Sequence, residues 1–238
     1  MQENLSAQDL LQLIRTVFSP RATDKQLAIL VDVPDEKNLD QPAWLARRIF
    51  ARQWWQILDQ QRAELGLQSV RLLYYPNVHS NNAELPEFCF ESDLDPADLT
   101  AEFLMTQHPP QNFTEQLAQQ QLILAPTQFS TTAPLELLVR QYHFRAATMP
   151  GFSTAMMPAL RLDWQEINRR VDRIKQLLDQ AEWAKIGFIV DRKEHLDLLL
   201  DLRFRSAHAS GGLFPEPGTA GNLPSGESYI FPYEGEKG

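Results

Sequence analysis

The sequence predicts an α/β protein. Residues 1–150 read as an N-terminal three-layer domain on a parallel sheet, Rossmann-like in rhythm. Residues 151–238 read as a smaller β-rich unit holding a helix and a β-hairpin. Three observations predict this. Short apolar runs at 27–33, 70–75 and 120–126 have the length and content of buried strands. Segments of helical period separate or follow them, which is the order of a parallel α/β layer. Late in the chain the period changes to two: Leu196, Leu198, Leu200, Leu202 and Phe204 alternate with Asp197, Asp201, Arg203 and Arg205, the pattern of a strand with one buried face.

The elements follow in order. Ser6 and Asp9 form a capping-box pair ahead of Leu10, Leu11, Ile14, Val17 and Phe18 at helical spacing, and Pro20 closes that helix. Asp40 and Pro42 open a long helix that runs to Leu65 and stops at Gly66. Trp44, Ile49, Ala51, Trp55 and Leu58 mark its apolar face, and Trp54 and Trp55 read as core aromatics. The pairs Arg47/Arg48 and Arg169/Arg170 read as solvated helix faces.

The loop at 75–86 is rich in Asn and Ser, and it follows a strand end, where α/β sheets bind ligands. His79, Asn81 and Asn82 are therefore polar contacts for a ligand, or else Asx turns that stitch the loop together. After the third strand a hydroxyl-rich turn, TQFSTTAPL, enters a helix near Pro134, where free N–H groups could cradle an anion. Neither Gly-x-x-x-x-Gly-Lys nor Gly-x-Gly-x-x-Gly occurs, so no nucleotide is indicated. Residues 145–157 read as a loop to the second unit. There Asp163 and Glu166 cap a helix striped by Ile167, Val171, Ile174, Leu178 and Ala181. Residues 186–190 and the period-two run form the hairpin around Asp191 and Arg192. A Gly-rich tail then presents Glu227 at the end of NLPSGE, before a last strand at 229–231.

Bulk properties exclude several classes. The net charge of −9 argues against nucleic acid and against an anionic membrane surface. Cys89 is the single cysteine, so neither an internal disulfide nor a thiolate metal cluster is expected. The N-terminus lacks the charged and apolar regions of a signal peptide, and no apolar run is long enough to span a membrane; the expected location is the cytoplasm.

Taken in order, STTAPL, FRAATMPGF with its following Met-Pro, LDLRFRSAHASGG and NLPSGE resemble the motifs of the aminopeptidase T-type metallo-aminopeptidases, and most nearly their leucyl aminopeptidase-like relatives. The resemblance runs from about Asn77 to the C-terminus. It implies an N-terminal α/β domain followed by part of a two-metal catalytic domain, with Glu227 at the position of a metal ligand. The family's further carboxylate and histidine ligands fall beyond the last residue of this sequence. His195, in the hairpin turn, and His208, in a loop, are the nearby imidazoles. One carboxylate cannot hold two divalent ions, so Glu227 is expected to be vestigial, with no cofactor and no retained metal.

The expectation is a truncated, non-catalytic pseudoenzyme that binds a peptide, similar to shortened relatives that serve as peptide-binding helpers in ribosomal-peptide pathways such as that of crocagin. A strand edge left uncovered would receive the peptide by main-chain pairing. The contact residues this implies are Leu196, Leu198, Asp201, Arg203 and Arg205, with Asn81 and Asn82 as polar contacts. Arg203 and Arg205 would pair a peptide's acidic groups, or else form internal ion pairs with Asp197 and Asp201. Expected partners are a precursor peptide and a biosynthetic enzyme. The alternatives are a split two-metal aminopeptidase completed by another chain, and a scaffold or homodimer using the same edge.

Overall fold

The computed structural model describes residues 4–233. In chain order its elements are α1 (Ala7–Phe18), β1 (Gln26–Val33), α2 (Pro42–Gln60), β2 (Ser69–Pro76), β3 (Phe88–Cys89), α3 (Ala101–Gln107), β4 (Gln111–Asn112) and α4 (Phe113–Ala118). They continue with β5 (Leu122–Ala125), α5 (Thr132–Tyr142), β6 (Arg145–Thr148), α6 (Trp164–Asp179), β7 (Trp183–Val190), β8 (Glu194–Asp201), β9 (His208–Ser210), β10 (Ala220–Asn222) and β11 (Glu227–Tyr229). No helix among the described residues is long and apolar enough to cross a membrane.

A five-stranded sheet in the order β10-β6-β5-β1-β2, parallel throughout, is flanked by helices, so the α/β class holds. β1 lies inside the sheet between β5 and β2, with seven consecutive buried residues, because both of its faces are covered. Ala28, Leu30, Leu73, Tyr75, Ile123 and Ala146 share one face with Phe113 and Leu117 of α4 and Leu135 and Val139 of α5. α2 packs on β1 and β2, with α1 beside it. The capping box at Ser6 and Asp9 forms, and Gly66 (φ 71°) ends the turn after α2 in the left-handed region that glycine tolerates.

Two expectations are corrected in this part of the chain. Arg47 and Arg48 are buried, not solvated. Burial is tolerated because both guanidinium groups are satisfied. Arg47 donates to the Phe152 carbonyl and to Gln128 Oε1, whereas Arg48 donates to the Pro96 carbonyl and reaches both oxygens of Asp40. Their neighbour Ile49, expected on the buried face, is exposed instead.

Residues 145–148, expected to be loop, are strand β6. Its four residues RAAT contain little β-branched or aromatic character, and the position is decided by neighbours on both sides and by Arg145. That side chain is buried against Asp24, with bonds to the carbonyls of Phe18 and Pro215.

The described residues divide into two compact units: 4–162 with 212–224, and 163–211 with 225–233. Segment 212–224 returns to the first unit, supplying β10 to its sheet, where the sequence reading kept everything after residue 150 together. The second unit contains α6, the antiparallel pair β9–β11 and the antiparallel ribbon β7–β8. The last strand is at Glu227–Tyr229, slightly ahead of its expected place.

Candidate functional site

A doubly wound sheet offers a ligand crevice at the carboxyl ends of its strands, where the winding reverses. Here that point lies between β1 and β5. The chain's own groups fill it. Asp32, at the end of β1, accepts the backbone N–H of Gln128 at 2.7 Å and that of Phe129 at 3.0 Å. Burial pushes its carboxyl up to about 6, against the lowering effect of those two N–H groups and of Arg47.

The entrance to α5 is closed in the same way. Asn82 Oδ1 accepts Ala133 N–H and the Ser130 hydroxyl, Asn81 Oδ1 accepts Ser130 N–H, and Ser130 Oγ accepts Thr132 N–H. The donors expected to cradle an anion are thus engaged internally. Asn81 and Asn82 stitch the 75–86 loop to the β5–α5 loop, and Asn82 takes a left-handed backbone (φ 61°) to do so. His79 sits with Asn38 and 3.4 Å from Asp35.

The second unit holds the other expected site residues. Glu227 is exposed on β11, opposite Ser210 of β9. His208, expected in a loop, is on β9 opposite Tyr229, with the two rings stacked at 5.1 Å. His195, expected in a turn, is in β8 opposite Ile189. No group of three His, Cys, Asp or Glu side chains placed to hold a metal ion occurs among the described residues.

Arg203 turns back on Asp201 at 2.6 Å, and Arg205 Nε donates to the Phe231 carbonyl. The internal pair considered from sequence is therefore formed at Arg203. The guanidinium of Arg203 is the first cause that holds the Asp201 carboxyl down at about 2. Asp197 pairs with Lys185 at 2.7 Å.

The ribbon itself departs most from expectation. β7 and β8 pair in register from Trp183↔Asp201 to Val190↔Glu194, and the left-handed residues Asp191 and Arg192 make the turn between them. Opposite residues share a face, so Ile186↔Leu198 and Phe188↔Leu196, with Val190, make one continuous apolar face. The other face is mixed: it carries Lys185, Asp197 and His195 together with Trp183, Ile189 and Leu199, which are also exposed.

The alternation predicted one face buried. Instead Ile186, Phe188, Leu196 and Leu198 are between 40 and 47% exposed. β7 and β8 form a two-stranded sheet, and among the described residues no further strand pairs with either outer edge, although the Tyr233 N–H donates to the Asp201 carbonyl at the end of β8. The strand also ends earlier than the alternation implied. Asp201 accepts Arg203 N–H, and Phe204 leaves the strand in a turn with φ 62°, fully exposed. Ile186 and Phe188 were not among the expected site residues, although their own period-two spacing in WAKIGFIV was a usable signal.

No family model matches the chain, and no curated protein matches it. A solved structure of 2,5-dihydroxypyridine dioxygenase from Pseudomonas putida KT2440 is similar, with a TM-score of 0.56 and 16% identity. The match covers 97% of this chain and 58% of the dioxygenase chain, so this chain spans little more than half of that protein. At that identity the likeness shows the fold alone. The resemblance to metallo-aminopeptidases set out from the motifs stays a proposal.

Proposed function

We propose that this chain binds an extended peptide along the β7–β8 ribbon and performs no chemistry of its own. One observation carries the reading: an eight-residue strand, β8, whose outer edge no strand pairs among the described residues, on a ribbon with a partly exposed apolar face. A two-stranded ribbon in water is marginally stable unless a third strand or a packed face supports it. An added peptide strand supplies both. Its backbone pairs with β8, and its alternate side chains extend the face of Ile186, Phe188, Leu196 and Leu198. The ligand class is a peptide with apolar residues at every second position. The motif resemblance makes the precursor peptide of a ribosomal natural product the first to test.

The reading relies on backbone pairing and apolar contact, with Leu196 and Leu198 at its centre. Arg203 is left out of the contact set because Asp201 already takes its guanidinium.

Backbone N-methylation tests the edge directly. Only alternate N–H groups of an added strand face the receptor. Two versions of one peptide, methylated on the odd or on the even positions, therefore separate edge pairing from general stickiness. Titration calorimetry is expected to show that one version has lost binding and the other has kept it. Equal binding by both would end the edge-pairing reading. Sedimentation at rising protein concentration covers a rival occupant: a second copy on the same edge would appear as self-association that the peptide reverses.

A further inference from the structure

We infer that the first unit carries a separate binding site for an aromatic amine, in an apolar cavity beside the outer strand β2. The cavity has a volume of 380 Å³, within the ordinary range for small-ligand sites. Pro76 at the end of β2, Pro86 and Pro110 form part of its wall, and their rings fix the local backbone, so the shape is largely preset.

Phe90 is buried and exchanges two backbone hydrogen bonds with Tyr74, each 2.8 Å, which fastens this segment to β2. Phe88, on β3, and Met105, on α3, complete the wall and are left largely exposed. Two aromatic rings and a polarisable thioether around an almost wholly apolar space suit a flat ring better than an alkyl chain.

Charge decides the remainder of the ligand. Glu87 borders the cavity and is exposed, and no ion pair of its carboxylate occurs among the described residues. No basic side chain lines the cavity, and Arg71, on β2, is held by Glu91, Gln111 and Gln116. An anionic head group therefore meets the Glu87 carboxylate and no basic side chain of the lining, whereas an ammonium meets Glu87 beside a wall that includes Phe88 and Phe90. The ring occupies the cavity and the ammonium sits at Glu87. This site is independent of the ribbon reading and stands or falls without it.

The test uses the full chain with isotope-labelled methionine methyls, the Met105 signal being assigned by Met105→Leu. Tryptamine, neutral indole and indole-3-propionate are titrated at neutral pH. Tryptamine is expected to shift the Met105 methyl with a Kd of about 1–3 mM, the affinity ordinary for a ligand of that size. Indole-3-propionate should bind about fivefold or more weakly. In Glu87→Gln, tryptamine should weaken by about two- to fivefold while indole is unchanged. The inference is overturned if tryptamine and indole-3-propionate move the Met105 methyl alike. It is equally overturned if tryptamine leaves that methyl unmoved at about ten times the expected Kd.

Discussion

Replacing Phe188, Leu196 and Leu198 together by serine removes most of that apolar face of the ribbon, leaving Ile186 and Val190, without touching the parallel sheet. The expected size follows from exposure. Fully burying one such side chain contributes about 1.5–3 kcal/mol. These three are between 40 and 47% exposed, so a ligand can still bury somewhat under half of each, or about 1 kcal/mol apiece. Three neighbours together give about 3 kcal/mol, roughly a 100-fold rise in Kd, with imperfect additivity because the residues touch one another. Phe188→Ser alone should cost about fivefold. Because the side chains face solvent, the first unit should melt where the wild type does. Calorimetric titration of the peptide, with circular dichroism of each variant, checks this. If the triple variant keeps its fold and binds within about threefold of wild type, apolar contact on the ribbon is not the source of affinity.

Other expectations follow from the same structure. Arg145→Met leaves the buried Asp24 carboxylate without its guanidinium partner and should lower unfolding stability by about 3–5 kcal/mol, seen as a reduced urea midpoint at unchanged slope; a loss below about 1 kcal/mol contradicts it. Arg203→Ala should leave peptide affinity unchanged, because Asp201 already holds that guanidinium; a clear loss in calorimetry would restore Arg203 to the contact set. Asp32 should make stability fall with rising pH. Its carboxyl is raised from 3.8 to about 6, so between those values the folded chain holds a proton that the unfolded chain has released. Its contribution is fully present below about pH 4 and lost by about pH 6, a change of about 3 kcal/mol. Other carboxylates act in the opposite sense, so the readout is the difference between wild type and Asp32→Asn across that range; parallel curves contradict the assignment.

Much of the architecture was legible because strand runs and caps are local signals. Leu27 to Val33 reads as a short buried strand closed by Pro34 and Asp35, and the Ser6–Asp9 pair marks a helix start. The parts that misled were those whose outcome depends on distant partners. Arg47 and Arg48 have the composition of a solvated face, yet a carbonyl from Phe152 and another from Pro96 make their burial possible. The segment RAAT has weak strand character and becomes a strand because β5 and β10 lie on either side of it. Of the expected site residues, Leu196 and Leu198 lie together on one face with Ile186 and Phe188, whereas Asn81 and Asn82 serve the neighbouring loop.

The sequence by itself determined the α/β class and a period-two strand with Leu196 and Leu198 on one face, since alternation depends only on the geometry of an extended backbone. It could not determine whether that face would be covered. Alternation says which side chains point the same way and nothing about what stands opposite them. Only the tertiary structure decided that among the described residues no other strand pairs with β7–β8, that the crevice between β1 and β5 is filled by Asp32, and that Glu227 is exposed on the β9–β11 pair. Covering a face or filling a crevice takes residues far apart in the chain, and no local pattern records that meeting.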